Sequence, residues 1–467
     1  VTGSPVSSRV NPADREGSGA GALFQGELLS AFLKNLLLLV LFLGLSYLFF
    51  HLALDNDFWQ SDDFYYLAHD LHMTETRAAL FDTAPPYKFQ PLVYGASYYL
   101  FHFFKFEPRG YFFVNVLLHG LNAFLVYLLV RTLLKDRAVA VLSGLLFVFT
   151  VGNYGKSVMI VSGLEDLIIT TLTLCTMIFY FRNELAGGGR IRSPWFFLTL
   201  LFFVGSMFTR STSLSILGAF LAFNYVFRRD TGHRVLSPDF VILLVIAAAA
   251  LMLKTLVFHY SPRFYTENPG PLKVVLYAAK NLISYLVRMI FPIHTSHLVT
   301  AAGPAVRFVY AFATEIRIVI ALTVLSYSFF GFIFGNHAIR FFIAWTYIMA
   351  LPFAFFQFPA DWLDIRNLYL VSVGFVMVIS AGAVYCSRLI RHQRWRRCVP
   401  FLVPLFFVVL ARFIIVQLDN NYELRSALPA AAARRTEIVR RYPWVTIEGT
   451  RLRYNWSVPA GSGGDKP

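Results

Sequence analysis

The stretch "LLSAFLKNLLLLVLFLGLSYLFFHLAL" (28–54) carries one charged residue, Lys34, and runs straight into "DNDFWQSDDFYYLAHD" (55–70), which carries five aspartates. An apolar run of that length exceeds the roughly 20 residues a helix needs to cross a hydrocarbon core about 30 Å thick. The abrupt arrival of acid then marks a membrane exit. Working outward from this boundary, the same pattern recurs along a chain of 467 residues that is 57% hydrophobic and 14% charged. A soluble domain of this size cannot cover so much apolar surface. The fold expected is therefore an all-α polytopic membrane protein of about eleven spans. They fall at 28–54, 111–134, 138–155, 157–181, 194–209, 211–228, 239–259, 307–334, 339–357, 367–387 and 399–417.

Charge in the connecting loops assigns sides. With the N-terminus in the cytosol, "RTLLKDR" (131–137), "RNELAGGGRIR" (182–192), "RRDTGHR" (228–234), "GNHAIR" (335–340) and "RLIRHQRWRR" (388–397) share that side. They hold fifteen Lys and Arg against three acids, Asp136, Glu184 and Asp230. That bias is the positive-inside pattern. The formal net charge of +15 thus reports topology and anionic headgroups, and excludes nucleic acid as the partner it would otherwise suggest. Cys175, Cys386 and Cys398 lie in or beside apolar spans without metal-type spacing, so no disulfide framework or zinc site is expected.

Three regions follow from this reading. Residues 1–26 form a disordered cytosolic tail, 27–417 the transmembrane domain, and 418–467 a small outer-face tail. Two outer loops stand out, 55–110 and 260–306. The first carries eight acids against four bases and is too long for a simple connector. "PLVYGASYYLFHFF" (91–104) is short for a crossing and reads as an interfacial helix. "PLKVVLYAAKNLISYLVRMIFP" (271–292) reads the same way, because Lys273, Tyr277, Lys280, Ser284 and Arg288 form one polar stripe. In the tail, "ALPAAAARRTEIVRRY" predicts a helix and "WVTIEGTRLRYNW" (444–456) a hairpin about Glu-Gly.

Candidate chemistry gathers on the outer face. Asp62 and Asp63 are adjacent acids ahead of "FYYL", aromatics suited to an interface; such a pair divides into a group that orients and a group that takes a proton. Asp55, Asp57 and Asp70 read as ordinary loop charge. His69 and His72 are weaker candidates for a metal site shared with the aspartates. Asn115, His119 and Asn122 make a polar stripe on one span, better suited to helix packing than to ligand contact. Glu165 and Asp166 open the fourth span, where a structural pair with Arg210 competes with a role in a site. Arg366, one turn ahead of Tyr369, is an outer-face arginine in a chain that keeps arginine inside. Either Asp361, Asp364 or an anionic ligand is expected to face it; its planar fork suits phosphate.

In order along the chain, "FQPL", "YFFVNVLLHGLNA", "SGLEDL", "TRSTSL" and "IRNLYLVSVGF" resemble motifs of the C-type (GT-C) polytopic glycosyltransferases. The likeness is strongest to protein O-mannosyltransferases and to the transmembrane, tetratricopeptide-bearing O-mannosyltransferases. It spans about residues 30–420 and lacks the repeats. Gln90 stands where the family has Arg, Phe112 for its His, Arg210-Ser211 for its Lys-Glu, and Val371 for its Pro. The resemblance implies transfer of a sugar from a polyprenyl-phosphate donor to an acceptor hydroxyl on the periplasmic or luminal face, with inversion. Asp62, with Asp63 second, would be the base. Arg366, then Lys88, Arg210 and Arg263, would hold the phosphate, with Gln90, Glu165, Asp166 and Tyr369 lining the substrate site. No cofactor is required, and a divalent cation on Asp62 and Asp63 is compatible with the chemistry. The acceptor is a protein, lipid or glycan, and a bacterial inner membrane is the preferred location. A transporter or lipid flippase, or a lipid-linked glycan ligase or polymerase, are the competing classes. A transporter would be expected to carry internal repeats and broken helices at mid-span, and none is evident here.

Overall fold

The computed structural model describes residues 13–59, 61–82, 89–150, 157–187, 190–228, 235–257, 271–290, 311–355, 365–406, 408, 424–449 and 451–454. The chain is an all-α polytopic protein, with one small hairpin among the described residues. Among the described residues, seven helical stretches are long and apolar enough to cross a membrane: Leu29–Asp55, Pro108–Leu134, Val161–Leu185, Pro238–Val257, Thr314–Phe334, His337–Ala354 and Leu368–Arg388.

The helices follow one another as α1 (Ala13–Phe50), α2 (Ser61–Glu75), α3 (Pro91–Phe104), α4 (Pro108–Leu134), α5 (Arg137–Phe149), α6 (Leu164–Gly187), α7 (Pro194–Met207) and α8 (Ser215–Arg228). After them come α9 (Pro238–Met252), α10 (Pro271–Ile290), α11 (Ala313–Phe334), α12 (His337–Ala354), α13 (Leu368–Arg388), α14 (Gln393–Cys398) and α15 (Leu424–Arg441). In the core, α4 packs on α1, α5 and α6, while α13 joins α5 to α12. Small residues permit the closest approaches. A Cβ on Gly374 of α13 would lie 2.4 Å from the Phe342 carbonyl oxygen of α12.

Three expected spans are shorter than a crossing needs. The segments read as 138–155, 194–209 and 211–228 form helices of 13, 14 and 14 residues, about 20 Å each at 1.5 Å per residue. Between α7 and α8 the cause is chemical. The Ser206 and Thr209 hydroxyls donate back to the carbonyls of Phe203 (2.6 Å) and Ser206 (2.5 Å). Arg210 then takes an extended backbone, φ −146° and ψ 146°, and its guanidinium turns to two carboxylates instead of continuing the helix. Most of the stretch read as a span at 399–417 lies outside the described residues.

Ion pairs knit loops of like charge at one end of the bundle. Asp136 caps α5 by accepting from Ala138 N (3.0 Å) and also takes Arg388 from the end of α13 at 2.5 Å. Arg228, closing α8, donates to Glu184 at 2.8 Å and reaches Asp239 at 3.5 Å. The helix ends beside the basic loops are thus tied in two pairs, Asp136 to Arg388 and Glu184 to Arg228.

The opposite end carries the long first loop and the tail. The tail folds as expected: α15 is followed by β1 (Val445–Glu448) and β2 (Arg451–Tyr454), antiparallel about Gly449 at φ +61°. It docks on α2. Arg435 donates to the Phe58 carbonyl (2.9 Å), Arg434 to the Tyr65 hydroxyl (2.7 Å), and Tyr442 to the Ala68 carbonyl (3.3 Å). The helix expected at 271–292 is α10. Its second half packs on α12 and α13, burying Tyr285, Leu286, Val287 and Met289.

Candidate active site at the rim of the bundle

The acidic pair opens a helix, and that decides the fate of each member. Neighbours on a helix point about 100° apart, so Asp62 and Asp63 cannot share a target. Asp63 is fully buried and accepts from the Ser162 backbone N–H at 2.8 Å and from that of Trp59 at 3.4 Å. It anchors the turn ahead of α6. Trp59 and Asn115 hold the same turn, donating to the carbonyls of Met159 (3.1 Å) and Ile160 (2.8 Å). Gly163 is required there, because a Cβ would meet the Ser157 carbonyl oxygen at 2.0 Å. Asp63 is thereby a positioning residue, not the second base the sequence suggested.

Asp62 faces outward, its side chain 45% exposed, and both terminal nitrogens of Arg366 lie 3.2 Å from its Oδ2. The two residues are 304 positions apart in sequence. Arg366 arrives on the short turn Ile365–Asn367 that begins α13. Asp361 and Asp364, the partners first expected for it, lie outside the described residues, as do Lys88 and Arg263.

From Arg366 a polar chain returns to α2. Its neighbour Asn367 accepts from Arg210 (3.3 Å) and donates to the Tyr285 hydroxyl of α10 (3.2 Å). Arg210 bridges Glu165 (3.1 Å) and Asp166 (2.6 Å) at the start of α6. Glu165 accepts from Gln90 Nε2 at 2.9 Å. The Tyr66 hydroxyl, one turn beyond Asp62 on α2, is shared between Gln90 Oε1 (3.2 Å) and Glu165 Oε2 (3.3 Å). Burial first, and Glu165 next, push the Tyr66 phenol well above its usual range, so it stays a neutral donor. Gln90 occupies the residue before α3, whose start is tied to the Arg210 turn by Leu92 N–H donating to the Phe208 carbonyl (3.2 Å). Six separate segments thus meet in one network, with Asp62 and Arg366 at its open edge.

Other candidates lie elsewhere. Tyr369 is 1% exposed and points into the core, where its hydroxyl meets His119 Nδ1 (2.8 Å) and Asn122 Nδ2 (3.3 Å). It joins α13 to α4. The stripe Asn115, His119 and Asn122 packs helices, as its spacing suggests. His69 is buried, stacked on Tyr94 at 3.9 Å, with Nε2 on the Ala79 carbonyl at 2.9 Å. His72 pairs with Glu75 at 3.5 Å. Both imidazoles thus serve loop packing. Among the described residues no three His, Cys, Asp or Glu side chains gather as a metal-holding group. Asp70 and Asp57 are more than loop charge. Asp70 is 1% exposed and accepts from Ser97 Oγ at 2.7 Å. Asp57 takes Arg435 of the tail at 3.3 Å.

No family model matches the chain, and no curated protein matches it. The site is read from its geometry alone. Tyr66, Asn367 and Tyr285 belong to it and escaped the sequence reading. Tyr66 is legible once 61–75 is taken as a helix, since it then shares a face with Asp62. Asn367 and Tyr285 gave no local signal.

Proposed function

We propose that this protein is a membrane glycosyltransferase, moving a sugar from a polyprenyl-phosphate donor to an acceptor hydroxyl at the end of the bundle opposite the basic loops. One observation supports this above the others: the Asp62 carboxylate and the Arg366 guanidinium meet at a partly open rim. The motif order in the sequence adds to it. The reaction needs a proton acceptor beside the attacking hydroxyl and a cation beside the departing phosphate. Asp62 takes the hydroxyl proton as the acceptor oxygen bonds to the anomeric carbon. The bond from that carbon to the phosphate oxygen breaks with inversion, and its electron pair leaves on the phosphate.

Arg366, backed by Arg210, receives that charge. In the resting site Arg366 is held by Asp62. A donor phosphate competes for the guanidinium and frees the carboxylate at the moment a base is needed. Asn367 and Tyr285 fix the turn that carries Arg366. Positive-inside bias puts the basic loops in the cytosol, so the site opens to the periplasm or lumen; a bacterial inner membrane is the setting we favour. A protein hydroxyl is the acceptor the resemblance favours.

The test is transfer from radiolabelled polyprenyl-phosphate sugar by the reconstituted full chain. Asp62→Asn is expected to slow transfer by about 10²–10⁴-fold. Transfer at the wild-type rate would remove Asp62 as the base.

A further inference from the structure

Lys254 stands apart from every role described so far. It sits on the five-residue π-helical turn Leu253–Val257 that continues α9. Isolated π turns frequently mark functional positions, because the extra residue re-aims a side chain. Here Leu253, Leu256 and Val257 face outward, with Leu256 65% exposed, while Lys254 turns inward and is 4% exposed. Its Nζ lies 5.6 Å from the centroid of the buried Phe89 ring. Among the described residues no carboxylate lies within ion-pair range of it. A ring face offsets part of the cost of burying an ammonium and leaves it short of a counter-charge.

Its surroundings say where that charge would come from. Phe89 precedes Gln90, which holds Glu165, and Phe89 also packs at 6.1 Å on Phe208, two residues before Arg210. Lys254 therefore faces inward behind the rim network, on a turn whose outward residues, Leu253, Leu256 and Val257, present bare hydrocarbon. A free aqueous anion has little reason to approach there, whereas the headgroup of a lipid does.

We propose that Lys254 is an inward-facing binding residue for the phosphate of a lipid, received from the bilayer beside the Gln90 and Arg210 network. The proposal rests on the transferase reading for the choice of an isoprenoid chain.

The experiment uses the full chain in nanodiscs of phosphatidylcholine, titrated with polyprenyl monophosphate, the uncharged polyprenol and inorganic phosphate, with binding read by native mass spectrometry. Polyprenyl monophosphate is expected to bind and the alcohol is not. Lys254→Met should weaken that binding by at least about tenfold, the loss expected for a charge-assisted hydrogen bond, and Lys254→Arg should keep it within about threefold. Lys254→Gln repeats the test if the methionine variant does not fold. Unchanged binding in Lys254→Met or Lys254→Gln overturns the proposal. So does inorganic phosphate binding with the same dependence on Lys254, since the ligand is then not lipid-borne. Asp62→Asn separates the two readings. Should it transfer sugar at the wild-type rate while Lys254-dependent binding persists, the transferase mechanism falls and the lipid-phosphate site stands.

Discussion

Two arginines at the rim do different work, and exposure decides which. The Asp62–Arg366 pair is partly open, its side chains 45% and 24% exposed, and such pairs contribute about 0–1 kcal/mol. Arg210 lies among Glu165 and Asp166, whose side chains are 11% and 9% exposed; removing it strands two carboxylates at a cost on the order of 3 kcal/mol. Thermal unfolding in detergent should therefore leave Arg366→Met and Asp62→Asn near wild type and lower Arg210→Met by several degrees. Equal losses in all three would deny the open pair a functional purpose. On α2, two buried neighbours give opposite pH responses. Burial lowers His69 from 6.5 to about 4, against weaker opposing influences from the Ala79 carbonyl and Asp82. The unfolded state then binds the extra proton between pH 6.5 and 4, so the His69 contribution is lost as pH falls through that window. Burial raises the Asp70 carboxyl well above 3.8, with Ser97 opposing. There the native state holds the proton, and its contribution is lost as pH rises toward that raised value. Asp70→Asn should therefore open α2 more readily at pH 5 than at pH 7, relative to wild type, and His69→Phe should reverse the sign. Hydrogen exchange of α2 amides, corrected for intrinsic rates, reads both; parallel pH responses in the two variants would refute the assignment.

At the scale of elements, α2 carries the candidate base and is held from three directions: Asp63 toward the turn before α6, Asp70 toward α3, and the tail helix α15 across its outer face. Arg435 is central to the last, with its guanidinium 5.4 Å from the Phe64 ring and bonded to the Phe58 carbonyl. Burial raises the Asp57 carboxyl even with Arg435 beside it, so Arg435→Met leaves that carboxylate without its main cation. The variant is expected to release α15 and speed α2 exchange at least about tenfold, a loss of roughly 1.4 kcal/mol. Exchange confined to α15 would show that the tail rests on α2 without holding it. The helix and hairpin of the tail were legible because alternation and a Glu-Gly turn are local signals. Helix α2 was not: Phe64, Leu67 and Leu71 fall at i, i+3 and i+7 and are buried, but the acids crowding "SDDFYYLAHD" mask so short a stripe, and Asp63 and Asp70 are buried by contacts from distant segments. The same blindness made Asp62 and Asp63 look like partners, when one residue of helical rotation sends them to different neighbours.

For the whole molecule, the grouping of basic loops at one end of the bundle was legible from charge, because each loop votes by itself, and the side that end faces is part of the proposal. The convergence of the first loop, the α7–α8 turn and the start of α13 was not, because no local pattern encodes which ends meet. The structure joins the two lines of reasoning. Helices α6 and α13 begin at the rim network and finish at the ends tied by Glu184 to Arg228 and by Asp136 to Arg388. The tail, docked on α2, shares the rim end. One labelling experiment in intact spheroplasts therefore reports on every loop at once. In a background lacking Cys175, Cys386 and Cys398, His392→Cys marks the basic end and Ile447→Cys the hairpin, where Ile447 is 42% exposed. An impermeant maleimide should label position 447 directly and position 392 only after lysis. The reverse pattern would place the Asp62–Arg366 pair in the cytosol and end the proposal that transfer occurs on the outer face, while leaving the fold and its ion-pair map intact.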